Sequence, residues 1–378
     1  MIIAFDVSHI RLHRAGLGRF STLILRGLLS ADHERHYLLH GWSADLDEAT
    51  IRSFLQSNVR LSIAHVPRVF KRLYWNVLRT PKLETFIGPF DVFYSAEPLL
   101  PPLGKKRSII TFHDLAFKKF PQFFAERAVR KWNVLFQRAA EHADVIIVPS
   151  VSTHKDLMEL MSVPQEKIHV VRPPVDPIFC QGLPAQCDTE VREKFSIPGE
   201  FILFVGTVEP RKNVARLVKA FEMFISTTKK APSLVIVGQL GWLYQGVLKI
   251  INSSPACDKI LLLNYVTDED LHRLYRSASI FIFPSLYEGH GFPVVEAMAS
   301  GLPVITSNNS SLREIGQGVA LLIDPEDIMQ MTEGLQTLYS DETLRREMSA
   351  KGLERAAQFS VKSSTDAILK IYTSLENR

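Results

Sequence analysis

Cysteine is scarce: the 378 residues hold three, Cys180, Cys187 and Cys257. An odd number without metal-type spacing excludes a disulfide framework or a zinc ribbon and leaves buried or incidental thiols. No run of about 18 apolar residues occurs, so no membrane-spanning helix is expected. The opening MIIAFDVSHI has neither a basic leader nor a small-residue cleavage site, which points to a cytoplasmic address. Charge of one sign is also in short supply, with 44 Lys plus Arg against 40 Asp plus Glu, and no nucleic-acid partner is expected. Short-period repeats and low-complexity tracts are absent, which sets solenoids aside.

What is present describes a chain that folds throughout. Hydrophobic residues make up 46% and charged residues 22%, ordinary for a globular protein. The length exceeds one hydrophobic core and predicts two domains. The net charge of +4 is unevenly placed: residues 60 to 131 carry 14 Lys plus Arg against 5 Asp plus Glu, so the remainder is net acidic. Within that stretch, RVFKRLYWNVLR (Arg68 to Arg79) interleaves basic and aromatic residues. The basic region 68–131 therefore suits contact with an anionic membrane or a charged acceptor, or else forms an ordinary solvated face.

Short apolar runs alternate with longer amphipathic stretches, a rhythm that predicts parallel sheets covered by helices. In the first half the expected strands are Ile2 to Val7, HYLLHG, VRLSIAHV, Asp91 to Ala96, Ser108 to Asp114 and Asp144 to Ser150, with a helix from Phe123 to His142. A proline cluster around HVVRPPVDPIF (His169 to Phe179) interrupts the rhythm. The expected domains are therefore 1–175, a linker over 176–198, and 199–360. The second half restarts with Phe201 to Thr207 and a helix from about Val214, followed by strands at SLVIVG, KILLLNYV, Ile280 to Ser285, LPVITS and VALLID. The last helix is expected over Val361 to Leu375.

The most informative segment is SLYEGHGFPVVEAMASGLPVITS, Ser285 to Ser307. It predicts a strand end, a glycine-containing loop, and a short helix with Pro293 in its first turn. Gly301 closes that helix. The segment Gly291, Phe292, Pro293, Val294 and Val295 opens that helix, and the unpaired backbone N–H groups of such a loop would lie at its positive end, a ready site for a diphosphate. Glu288 stands before the loop and Glu296 is expected within the first helical turn. Ionised carboxylates only accept hydrogen bonds, so vicinal sugar hydroxyls are natural partners. A bland alternative reads Glu296 as a helix-terminus charge and the glycines as a turn.

A second motif, FVGTVEPRKN, runs from Phe204 to Asn213. After a strand and the turn at Gly206, Arg211 and Lys212 would project from the carboxyl edge of the sheet and neutralise charge on a departing diphosphate. Asn213 is expected to cap the next helix. In the first half, HRAGLGRF (His13 to Phe20) offers Gly16 and Gly18 for close approach to a ligand. The third glycine of a dinucleotide fingerprint is missing, which counts against a dehydrogenase. His113 and Asp114 end one strand, with His113 able to hydrogen-bond a sugar and Asp114 more suited to capping. Ser150 ends another strand and either meets the ligand or starts a turn. Asp268 and Asp270, like Asp45 and Asp47, read as helix starts, so no metal site and no cofactor are expected.

On the strength of GTVEPRKN and the two glutamates seven residues apart, Glu288 and Glu296, the chain resembles the group 1 family of retaining GT-B fold glycosyltransferases over nearly its whole length. The resemblance implies an α/β architecture of two Rossmann-like domains with parallel sheets facing a central cleft, the final helix, within about 361–378, returning to the first domain. It also implies that Arg211 and Lys212 hold the diphosphate of a nucleotide-sugar donor, that Glu296 binds the ribose, and that Glu288 lies near the transferred sugar. The backbone from Gly291 to Val295, His113 and the glycine loop at Gly18 complete the donor contacts in that picture. Closest in flavour are bacterial polysaccharide mannosyltransferases, which would use GDP-mannose and a saccharide or polyprenyl-linked acceptor, at the inner face of the membrane. UDP-glucose, UDP-galactose or UDP-N-acetylhexosamine are the alternative donors. An NAD-dependent oxidoreductase and a non-catalytic nucleotide-binding protein are the more distant readings.

Overall fold

A computed structural model describes residues 1–11, 16–42, 46–64, 73–78, 80–182 and 186–377. It divides into two compact units, Met1–Pro174 with Ser360–Arg378, and Val175–Phe359.

The first unit is built on seven strands: β1 (Ile2–Asp6), β2 (His36–Trp42), β3 (Val59–Ala64), β4 (Val92–Ser95), β5 (Arg107–Thr111), β6 (Val145–Val148) and β7 (Ile168–Val170). All pair in parallel, in the order β3-β2-β1-β4-β5-β6-β7. The second unit has six: β8 (Phe201–Val205), β9 (Ser233–Val237), β10 (Ile260–Leu263), β11 (Ile280–Phe283), β12 (Val304–Ser307) and β13 (Leu321–Ile323). These are again parallel, in the order β10-β9-β8-β11-β12-β13. Strands such as FILFV and IFIF are buried along their whole length. Parallel sheets covered on both faces demand such unbroken apolar runs, and that is why the strands were visible in the sequence.

In each sheet the strand order reverses beside the first strand of the unit, between β1 and β4 and between β8 and β11. Loops diverge there at the carboxyl edge and leave a crevice, the usual ligand position of open α/β sheets.

Three expectations need correction. Residues 176–198 are not a free linker: the segment holds a 3-10 turn, Pro177–Cys180, and a helix, Gln186–Lys194, and its Phe179, Val191 and Ile197 join the core of the second unit. Their apolar side chains lie too far apart in sequence to show a period across the prolines. His169 belongs to an edge strand, β7, whose three residues are too few to register beside the prolines. Within the basic stretch, Tyr74 and Trp75 do not lie on the surface but pack with Trp42 in the first core. Lys71 and Arg72 fall outside the described residues, as do His13 and Asp45. Cys180 and Cys257 are free and exposed, so of the two readings of these thiols the incidental one applies to them.

The final helix, Val361–Glu376, belongs to the first unit, where Ser364 donates to the Arg172 carbonyl at 2.7 Å and the Arg35 guanidinium meets Glu376 at 2.6 Å. Gly27, on the helix Gly16–Ala31, faces it so closely that a Cβ there would lie 2.2 Å from the Thr365 hydroxyl.

Candidate functional site

The carboxyl ends of β8, β11 and β12, adjacent strands of the second sheet, bring together three loops. After β8, Pro210 fixes the start of a 3-10 turn, Pro210–Lys212, which carries Arg211 and Lys212. After β11, the loop to Gly291 carries Glu288. After β12 comes the polar run SNNSS, Ser307 to Ser311.

Arg211 and Lys212 converge on Glu288. The Arg211 Nη1 lies 2.9 Å from one Glu288 oxygen, and the Lys212 Nζ lies 2.5 Å from the other. Arg211 also donates to the Tyr287 carbonyl at 2.8 Å and, through Nη2, to Glu209 at 2.7 Å. Lys212 stands 4.9 Å from the centre of the Phe283 ring. Burial alone would push the Glu288 carboxyl up, but Arg211 and Lys212 outweigh it and hold it at about 2. Burial lowers Lys212 from its usual value and Arg211 repels it, with Glu288 working the other way. The same contact thus depresses the carboxylate while leaving the lysine below its ordinary range. The carboxylate is ionised, and the lysine depends on it for compensation.

Backbone hydrogen bonds hold these loops in register. Leu286 N–H donates to the Arg211 carbonyl at 2.9 Å. Ser311 Oγ donates to the carbonyls of Glu288 and His290 at 2.9 and 2.7 Å, Ser310 Oγ accepts from the Glu288 N–H, and Asn309 donates to the Leu286 carbonyl. Sequence reasoning missed this bracing; a run of small polar residues just past a strand is its only signal. Glu209 was missed for the same reason, since its partner is a side chain in a turn that the sequence does not specify.

Asn213 occupies the N-cap position of the helix Val214–Ser226 but makes no side-chain capping bond. Its backbone is left-handed, and its amide donates instead to the carbonyls of Pro284 and Pro325, tying three loops together. Glu296 is likewise not in the first turn of its helix, Phe292–Ala299, but near the middle, buried, where it accepts from the Tyr275 hydroxyl at 3.0 Å. Among the backbone groups of Gly291 to Val295, Pro293 has no N–H, and Val294 and Val295 both donate to the Gly291 carbonyl. The N–H groups of Gly291 and Phe292 stand at the N-cap and first position of the helix, ahead of its first intrahelical bond. Gly291 is the N-cap at φ 100°, and a Cβ there would meet Leu312 Cδ2 at 2.7 Å. A Cβ at Gly206 would make only ordinary contact, 3.5 Å, with the rings of Phe204 and Phe283. Packing does not require a glycine there.

In the first unit, β1, β4, β5 and β6 present His9, Glu97, His113 and Ser150 beyond their carboxyl ends. His113 Nε2 meets the Ala96 carbonyl at 2.7 Å. A carbonyl only accepts, so Nε2 carries the hydrogen and Nδ1 is the acceptor. Burial lowers the His113 pKa below its usual value, which favours the neutral ring. His9 Nδ1 lies 3.2 Å from Glu97, a pair that the sequence did not single out. Ser150 caps the helix Val151–Met161 by accepting from the Thr153 N–H, and Asp114, one residue ahead of the N-cap of the short helix Ala116–Lys119, accepts from the Ala116 N–H. Gly18 is explained by packing, since a Cβ there would sit 2.7 Å from the His9 carbonyl oxygen, and Gly16 begins the same helix, exposed. Asp268 and Asp270 lie in the first turn of the helix Asp268–Ser277, capped by Thr267, and Asp270 pairs with Lys194 at 2.7 Å. Asp47 caps the helix Glu48–Arg52.

Comparison with known proteins bears on the fold and the family. Residues 188–355 match the glycosyl transferases group 1 family and residues 14–179 the glycosyltransferase family 4. The O-antigen chain mannosyltransferase B of Escherichia coli is 28% identical over 98% of this chain and 99% of its own length. In fold, the chain is similar to sucrose-phosphate synthase from Thermosynechococcus elongatus, with a TM-score of 0.78 at 18% identity over 100% of this chain and 99% of that one. Anabaena HepE, solved with UDP-glucose, gives a TM-score of 0.75 at 16% identity over 99% of this chain and 100% of that one. Together the two matches take in most of the chain, which is a GT-B fold glycosyltransferase with a family 4 domain over residues 14–179 and a group 1 domain over residues 188–355.

Proposed function

We propose that the chain transfers mannose from GDP-mannose, with retention of anomeric configuration, to a saccharide or lipid-linked acceptor in the assembly of a surface polysaccharide. The observation that carries the reading is the convergence of Arg211 and Lys212 on one buried carboxylate beside the start of the helix Phe292–Ala299. Two cations held at a strand end, next to the N–H groups of a helix N-terminus, suit the diphosphate of a nucleotide sugar. The 28% identity to a mannosyltransferase along the full chain favours mannose and a polysaccharide product.

In this reading Arg211 and Lys212 take the diphosphate and stabilise the charge that grows on it as the glycosidic bond breaks, a task that would otherwise fall to a metal ion. Glu288, ionised and already bonded to both cations, is placed to accept from hydroxyls of the transferred sugar. Glu296 accepts from the ribose, with Tyr275 holding its other contact. Gly206 permits the ligand to approach the backbone, and Gly291 and Phe292 donate to the phosphate oxygens. His113, neutral and with Nδ1 as acceptor, keeps its assignment to the sugar. A phosphate oxygen of the donor takes the proton from the acceptor hydroxyl.

No helix among the described residues is long and apolar enough to cross a membrane. The exposed Leu73, Leu78 and Phe86, with the exposed Lys105 in the same basic stretch, support peripheral contact with an anionic surface.

Thermal shift with GDP and with UDP tests the donor, because only a nucleotide that binds the folded chain raises its melting temperature. Stabilisation by GDP and mannose transfer from GDP-mannose are expected. Stabilisation by UDP alone would overturn the donor and leave a UDP-hexose transferase on the same site.

A further inference from the structure

Glu209 is the carboxylate in the site for which the donor reading has no use. It is 1% exposed, more deeply buried than Glu288 or Glu296. Oε1 accepts from Arg211 Nη2 at 2.7 Å, whereas Oε2 is buried with no hydrogen-bond partner among the described residues. Burying a carboxylate with one oxygen unsatisfied is costly, and a chain gains nothing from it by packing alone. Neutralising Arg211 does not require it either, since Glu288 already lies 2.9 Å from Nη1.

Glu209 is held from both sides. Val208 N–H donates to the Gln239 carbonyl at 2.9 Å and Gly241 N–H returns to the Val208 carbonyl at 3.0 Å, extending the β8–β9 pairing past the strand ends. A Cβ at Gly241 would come within 3.4 Å of the Glu209 Cβ, so the carboxylate stem is covered as well. Glu209 also accepts through its own carbonyl from the Lys212 N–H at 3.1 Å. Its charged neighbours are Arg211, Lys212 and Glu288, and the covering loop Gln239–Gly241 adds none.

A guanidinium is a planar fork, and its orientation is fixed only when both edges are held. Glu288 and the Tyr287 carbonyl hold Nη1, and Glu209 holds Nη2. We propose that Glu209 is the positioning residue of Arg211: it clamps the Nη2 edge on a rigid backbone so that the Nη1 edge stays aimed at the diphosphate when the ligand shares or replaces the contact with Glu288. The clamp removes side-chain freedom before the ligand arrives, which lowers the entropy lost on binding. This rests on the reading that Arg211 meets the diphosphate.

The experiment measures the dissociation constant of whichever of GDP and UDP the wild-type chain binds, by calorimetry, in a double-mutant cycle. Glu209→Ala is expected to weaken binding by about tenfold, and Glu209→Gln, which keeps an acceptor but loses the charge, by about threefold. In an Arg211→Ala background both losses should fall to within about twofold of none. Equal losses with and without Arg211, or unchanged binding in both single variants, overturn the proposal, as does a lowered melting temperature with unchanged binding. If Glu209→Ala does not fold, the Glu209→Gln arm of the cycle decides alone by the same criterion. Wild-type affinity in Arg211→Ala by itself would instead remove the diphosphate reading, and this inference with it.

Discussion

The Arg211 guanidinium lies 2.9 Å from Glu288 although 77 positions separate them in the chain, because β8 and β11, from which their loops run, pair side by side. Glu288 is buried and Arg211 is part-buried, so each charge leans on the other for compensation. Arg211→Ala removes the Nη1 edge that would meet a diphosphate. Glu288→Gln keeps shape but removes the carboxylate proposed to meet the transferred sugar. Each is expected to lower transfer by at least about a hundredfold, the size of other losses of preorganised charge. Initial rates with GDP-mannose, alongside far-UV circular dichroism for the fold, check this. A wild-type rate in either folded variant would remove the assignment.

Glu288 also sets an acid dependence. Its carboxyl titrates at about 2 in the folded chain against an ordinary 4.5. A depressed folded value means that the unfolded chain binds the proton first, so the stabilisation is complete above about pH 4.5 and is lost as pH falls towards 2. The difference corresponds to about 3 kcal/mol. Urea unfolding of wild type and Glu288→Gln at several pH values between 7 and 3 should show the gap between them closing on the acid side. A gap that stays constant with pH would show that the carboxylate is not held ionised by Arg211 and Lys212.

Gly291 provides a test of the loop independent of charge. At φ 100° any other residue is strained by about 1–2 kcal/mol. A Cβ there also meets Leu312 Cδ2 at 2.7 Å, which forces a shift. Gly291→Ala is therefore expected to cost about 2–3 kcal/mol in chemical denaturation and to weaken nucleotide binding, because the Gly291 and Phe292 donors move. Gly318 is the control: its φ is 79° but nothing lies within 4 Å of an added Cβ. Gly318→Ala should cost only the strain, about 1–2 kcal/mol, and leave binding unchanged. Equal effects of the two substitutions on binding would mean that the loop geometry at Gly291 has no part in the site.

The strands and the motif loops were legible because parallel sheets write themselves as short, fully apolar runs, and because Pro210 and Pro293 mark the turns that follow. Arg211, Lys212 and Glu288 meet as their places at strand ends implied. Less visible was anything fixed by tertiary contact. Asn213 has the residue type of a cap, yet the carbonyls of Pro284 and Pro325 compete successfully for its amide. Ser150, read as meeting either a ligand or a turn, caps a helix, and Gly18, read as a place of close ligand approach, lies against the His9 backbone. Glu209 sits two residues from Arg211, but nothing in EPRK says that the turn folds the two side chains onto one another. Helix-period reasoning failed across 176–198 because prolines break the pattern while Phe179 and Val191 still find the core.

Peripheral membrane contact, if it resides in the basic stretch, has two separable parts. Lys105 is exposed and supplies charge, with Lys71 and Arg72, which lie outside the described residues, as its partners in sequence. Leu73, Leu78 and Phe86 are 44%, 56% and 50% exposed and supply apolar surface. Each cation near an anionic bilayer contributes about 1 kcal/mol, and that attraction falls within a Debye length of roughly 8 Å at physiological salt. Replacing Lys71, Arg72 and Lys105 by Gln should therefore reduce sedimentation with anionic vesicles at low salt by about a hundredfold in partition coefficient, with the difference from wild type shrinking as salt rises. Leu73→Ser with Leu78→Ser should weaken binding by an amount that salt does not change, since burial of apolar surface is not screened. Vesicle sedimentation across a salt series separates the two, and a triple variant that sediments like wild type at low salt would show that this face does not meet the membrane.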